Sequence, residues 1–260
     1  MARVLRPLSL GQLLDETFNL YRRNFLLFVG ISAIPNLALL ALQLIAEVAG
    51  SNARGAVELT SSLGGIVSSL FVVPIATAAT TLAVSDLYLE NPTSISACFS
   101  RLSGKVGPVI FVSFITGLIV GLGTLLCVIP GIYLAGKYGV ATPAVVLENI
   151  PGGDALRRSG ELTRDSIGRV ILVYFLTVIF AFLMAVALMT GVEALSWLQD
   201  GSFAKNAVED IVSTLSTMVF APVTAIALAL IYYDLRVRKE AFDIDHMMRM
   251  MNVDKLSAGS

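Results

Sequence analysis

The sequence predicts an all-α, polytopic membrane helix bundle: six transmembrane helices and three amphipathic helices at the cytoplasmic interface, with a parallel internal repeat. Three observations carry this reading. Hydrophobic residues make up 56% of the chain and charged residues 14%, with a mean hydropathy of +0.81, whereas about a quarter of a globular chain is charged. Six long apolar stretches hold almost none of that charge. The Lys and Arg residues between them fall almost entirely on one side.

A hydrocarbon core about 30 Å thick needs about 20 helical residues. The candidate spans are Phe25 to Ala49, Leu63 to Leu89, Val106 to Ile129, Ile132 to Leu147, Val170 to Leu198 and Val208 to Tyr233. They are continuously apolar rather than alternating, which favours helices over a barrel. The fourth is the shortest and contains Lys137; Pro130-Gly131 joins it to the third as a tight hairpin. With six crossings, Arg3, Arg6, Arg22, Arg23, Arg101, Lys105, Arg157, Arg158, Arg164, Arg169, Arg236, Arg238, Lys239, Arg249 and Lys255 share one side, and Arg54 and Lys205 the other. The positive-inside rule then places both termini in the cytoplasm. Were the fourth stretch not to cross, this bias would weaken. Residues 1–240 form the membrane domain and 241–260 a flexible cytoplasmic tail. The charged N-terminus lacks the short core and cleavage site of a signal peptide and is expected to be retained.

An amphipathic segment precedes each odd-numbered span. Ser9 and Gln12 have capping-box spacing, followed at helical intervals by Leu10, Leu13, Leu14, Phe18 and Tyr21. Ile95, Cys98, Phe99, Leu102 and Val106 repeat the pattern, with Thr93 or Ser94 as cap. Gly152 to Ser166 does so less cleanly, with Asp154–Arg158 and Arg157–Glu161 as i,i+4 ion pairs. These three helices form a basic cytoplasmic collar. An offset of 142 aligns Leu14 with Leu156, Thr17 with Ser159, Leu20 with Leu162 and Arg22 with Arg164. Pro74 precedes Asp86 by twelve residues and Pro222 precedes Asp234 by the same twelve. Each unit is an interfacial helix plus two crossings, so the repeats are parallel and the middle one is the most divergent.

The stretch Ile129 to Asn149 (IPGIYLAGKYGVATPAVVLEN), followed by Ala155 to Val170 (ALRRSGELTRDSIGRV), resembles the signature of the glycerophosphoryl diester phosphodiesterase membrane-domain family. Arg6 to Phe25 and Tyr232 to Asp243 resemble its opening and closing segments. The resemblance implies a bacterial multi-helix module of the inner membrane, with no established activity of its own. It does not imply the phosphodiesterase: the single histidine, His246, lies in the tail, and no length remains for a catalytic barrel.

No GxSxG, P-loop or HExxH motif occurs, and no cofactor or metal is implied. The net charge of −1 and pI near 5.9 carry no nucleic-acid signature. Cys98 and Cys127 fall on opposite sides and cannot pair. Intramembrane charge points to Lys137, which either snorkels to the outer headgroups or faces a polar cavity, opposite Glu193 or an anionic ligand. Asp86 and Asp234 end their spans where collar arginines can reach them. Arg157, Arg158 and Arg164 form a surface for anionic lipid or a cytoplasmic protein partner. Pro35, Pro74, Pro143 and Pro222 interrupt spans. Gly117 and Gly121, and the stripe Ala221, Ala225 and Ala229, are expected to pack helices. Tyr21, Tyr88, Tyr232 and Tyr233 mark the inner boundary and Trp197 the outer. The expected function is a non-enzymatic scaffold or regulatory membrane module. The alternative is a transporter or lipid-handling protein with a pathway between the repeats.

Overall fold

The computed structural model describes residues 7–50, 62–193 and 203–240, and each regular element among them is helical. The tail after Glu240, with His246, lies outside the described residues, as do Arg54 and Trp197.

Helix α1, Leu10–Arg23, starts on a complete capping box: Gln12 N–H donates to Ser9 Oγ and Ser9 N–H to Gln12 Oε1. It buries Leu13, Thr17 and Leu20. α2, Phe25–Gly50, carries Pro35 inside it. α3, Ser62–Tyr88, widens into a π turn at Ser68–Val72, where Val73 N–H reaches Ser68 O, just before Pro74. The wider turn takes up the proline without ending the helix. α4, Ile95–Leu102, is capped by Ser94 and runs through a 3₁₀ turn, Ser103–Lys105, into α5, Val106–Leu126. There follow α6, Val128–Tyr138, α7, Ala141–Glu148, α8, Gly152–Thr163, α9, Ile167–Glu193, and α10, Phe203–Glu240.

Among the described residues, five helices are long and apolar enough to cross a membrane, those at Phe25–Ile45, Ser62–Tyr88, Ile95–Leu126, Ile167–Gly191 and Ala207–Glu240. The expected fourth span is not one helix. A helix running through Pro143 would leave the Gly139 carbonyl without a donor and press the proline ring against it, and the chain breaks there, between α6 and α7. The hairpin turn also moves. It lies at Cys127, whose backbone is extended at φ −169° and ψ 146°, and Pro130 sits in the first turn of α6, where an N–H is not needed. The tip closes tightly, since a Cβ on Gly131 would stand 2.8 Å from Thr124 Cα. At the base, Lys105 Nζ donates to Val146 O at 2.7 Å. The α6–α7 leg therefore runs back along α5.

The core gathers at one end of the bundle. Ala78 to Val84 of α3, Val109 and Val112 of α5, Val140 to Val146 around α7, and Ile226 to Leu235 of α10 are almost wholly buried. Around them pack α1, α4 and α8, each with one buried face. At the other end, α2, α5 and α9 present exposed Leu42, Ile45, Leu122, Leu125, Phe175 and Leu183. So much exposed apolar surface suits lipid rather than water.

Candidate functional site

Asp86, Glu148 and Asp234, which close segments at the core end, are each held by contacts from other elements. Asp86 of α3 places both carboxylate oxygens 2.7 Å from Arg101 Nη1 on α4. Glu148 of α7 accepts from Arg158 Nε on α8 at 2.9 and 3.0 Å and from Tyr232 OH at 2.7 Å. Arg158 also pairs with Glu240, which Arg236 holds at 3.0 Å. Burial works against the Arg158 charge, but Glu240 and Glu148 outweigh it and raise its pKa above the ordinary value. Asp234 of α10, whose side chain is 0% exposed, lies 3.0 Å from Arg169 and 2.9 Å from Arg238 and accepts the Leu8 N–H at 2.8 Å. Arg238 returns to Leu8 O at 2.8 Å. Lys239 pairs with Asp165 at 2.9 Å and holds that exposed carboxyl below its usual range.

The three short helices share one register. Their N-caps are Ser9, Ser94 and Pro151. Four residues on, Leu13, Cys98 and Ala155 are each 0% exposed; eight residues on, Thr17, Leu102 and Ser159 are buried in turn. Seven residues on stand Glu16, Arg101 and Arg158.

The expected site residues divide. Asp86, Asp234 and Arg158 belong to these contacts, although Arg158 meets Glu148 and Glu240 rather than Asp154. Arg157 is 76% exposed, with Asp154 at 3.9 Å and Glu161 at 3.7 Å, and Arg164 is exposed at the end of α8. Lys137 lies against the short helix α8 and is not among the residues lining the cavity between α3, α5, α6, α9 and α10. It sits in the last turn of α6, its stem against Gly160 of α8 and its Nζ 5.3 Å from the Tyr138 ring centre. The reason is the break after Tyr138, which ends the helix beside α8, where Ser159 and Thr163 hydroxyls donate to Lys137 O at 2.8 and 3.1 Å. Glu193 ends α9, and its side chain lies outside the described residues. Glu148 was not singled out by the sequence; its position closing a segment, like Asp86 and Asp234, was the available signal.

A cavity of about 660 Å³ lies between α3, α5, α6, α9 and α10. Its wall carries Ser69 and Thr77 of α3, Ser113 and Thr116 of α5, and Thr224 of α10; among the described residues none that lines it is charged. Val178, Ala181 and Phe182 of α9 form an apolar side. The cavity begins where the core stops: Thr77 precedes buried Ala78, Ser113 follows Val112, and Tyr174 follows Val173. Tyr138, Gly139 and Thr142, at the α6–α7 break, form its floor. Gly117 also lines it, and a Cβ there would meet nothing within 4 Å, as at Gly121. The GxxxG pair thus borders open space rather than packing a helix. Glycines in close approach include Gly131, beside Thr124, Gly136, beside Ile171, and Gly152, beside Phe111.

Among the described residues, no group of His, Cys, Asp and Glu side chains could hold a metal ion. Comparison with protein-family models, curated proteins and solved structures finds no match for this chain.

Proposed function

We propose that the protein is a non-enzymatic, six-crossing membrane protein that holds or passes a lipid or small solute, with both termini cytoplasmic. The observation that carries this reading is the cavity of about 660 Å³, walled by hydroxyls and apolar groups and sealed on one side by the packed core. Ligand pockets span about 300–1,000 Å³ and combine an apolar lining with a few polar groups. The α6–α7 leg is the sixth crossing: it runs back along α5, and broken helices are tolerated in membranes where they line a cavity. The common register of α1, α4 and α8 supports three parallel repeats, each an interfacial helix plus two crossings. The positive-inside bias supports a bacterial inner-membrane orientation with the short helices inside. The resemblance to the phosphodiesterase membrane domain agrees with a module lacking catalytic groups.

A scaffold acting through a basic collar is the weaker reading. Arg101, Arg158, Arg169, Arg236, Arg238 and Lys239 are each paired with the protein's own acids. The test is mass spectrometry of molecules retained through purification in mild detergent, from the native chain and from Gly117→Phe. A species lost only from the variant, with its thermal midpoint unchanged, is the expected result. Identical retention by both proteins, or none by either, would count against the cavity as the site.

A further inference from the structure

We infer that the cavity takes an uncharged amphiphile from the bilayer, its hydrogen-bonding head at Thr116 and Ser113 and its apolar part against Val178, Phe182 and Phe220. This rests on the cavity being the functional site and adds what the site holds.

Thr116 supplies the first argument. A helical threonine commonly returns its hydroxyl to the carbonyl one turn back, as Thr124 does to Val120 at 2.8 Å, Thr177 to Val173 at 3.0 Å and Thr217 to Ser213 at 3.0 Å. Thr116 Oγ1 is buried and has no hydrogen-bond partner among the described residues. Such orphaned groups are rare in proteins, and within a bilayer no bulk water completes them. Thr116 lines the cavity, so a turn of its side chain about χ1 would bring Oγ1 to a ligand ester, carbonyl or hydroxyl placed there and complete the bond.

Charge and access supply the rest. Among the described residues no charged side chain lines the cavity, so an ionised head would be desolvated there without a counter-charge. Phe182 of α9 lines the cavity and is nonetheless 61% exposed, and Gly117 of α5 likewise lines it and is exposed. The wall therefore opens sideways there, beside the exposed Leu118 and Leu183, toward the bilayer. At roughly 30 Å³ per water-sized group, 660 Å³ accommodates on the order of 20 non-hydrogen atoms. That is a head and the first part of its chains, with the remainder left in the membrane through the side opening.

The full chain is reconstituted in phosphatidylcholine vesicles and irradiated with photoactivatable diacylglycerol, or with photoactivatable phosphatidylglycerol bearing the same chains. The expected result is diacylglycerol attached to α5 and α9 peptides in clear excess over phosphatidylglycerol. Thr116→Val should lower that labelling about three- to tenfold without moving the thermal midpoint, and Gly117→Phe should remove it. Equal or stronger phosphatidylglycerol labelling overturns the uncharged class and leaves the cavity as a site. Undiminished labelling of Thr116→Val overturns the placement of the head. Labelling by neither lipid above the Gly117→Phe level removes the site itself, and the inference with it.

Discussion

Arg101 and Arg158 occupy the same place on two short helices, seven residues after the caps Ser94 and Pro151, and each holds a carboxylate closing the segment before it. In the first short helix that position is Glu16, and the corresponding contact is made by the Leu8 backbone to Asp234. The acid contacts thus pass from α3 to α4, from α7 to α8, and from α10 back to the segment before α1.

Neighbouring arginines on α8 should therefore differ sharply. Arg158→Ala leaves Glu148 and Glu240 short of a charged donor and is expected to cost about 2 kcal/mol, read as a lowered thermal midpoint in detergent. Arg157→Ala, 76% exposed with contacts of 3.7 Å or longer, should stay within about 0.5 kcal/mol. Equal losses at the two positions would contradict the pairing.

Asp234→Leu should be the most damaging change at this end. It strands Arg169 and Arg238 and removes the acceptor of Leu8 N–H. Breaking a buried ion pair costs about 3–5 kcal/mol. Limited proteolysis should also cut faster near Leu8, and an unchanged cleavage pattern would show that the segment is held by other means.

Glycine substitutions separate close packing from open space. Gly131→Ala drives its Cβ to 2.8 Å from Thr124 backbone atoms, and overpacking of this kind costs about 1–3 kcal/mol. Gly121→Ala meets nothing within 4 Å and should be neutral or stabilising by up to about 1 kcal/mol. Paired thermal melts decide between them.

Orientation can be read with an impermeant thiol reagent. Cys98 is 0% exposed and should resist labelling from either side, whereas exposed Cys127, at the α5–α6 turn, should react in intact spheroplasts. Cys127 labelling only after the membrane is opened would reverse the proposed orientation.

The long apolar helices and the caps at Ser9 and Ser94 were legible because each is written in contiguous sequence. The break after Tyr138 was legible in part: Pro143 announced it, but only the structure places Lys137 beside Gly160. The spacing of α4 was legible in Ile95, Cys98, Phe99, Leu102 and Val106, but its closeness in register to the other short helices was not, because burial, not identity, is what matches Cys98 to Leu13 and Ala155. The cavity was illegible for a different reason. Ser69, Thr77, Ser113, Thr116 and Thr224 come from three separate helices with no common spacing, and single hydroxyls are ordinary in membrane helices.

The carbonyl at the end of α6 is completed by hydroxyls of Ser159 and Thr163, made more than twenty residues later. On the six-crossing reading, the returning leg of the hairpin is therefore unfinished as a membrane segment when it leaves the ribosome. Its last carbonyl gains these partners only once α8 has been made, which brings the order of chain growth into how the middle of this bundle is packed.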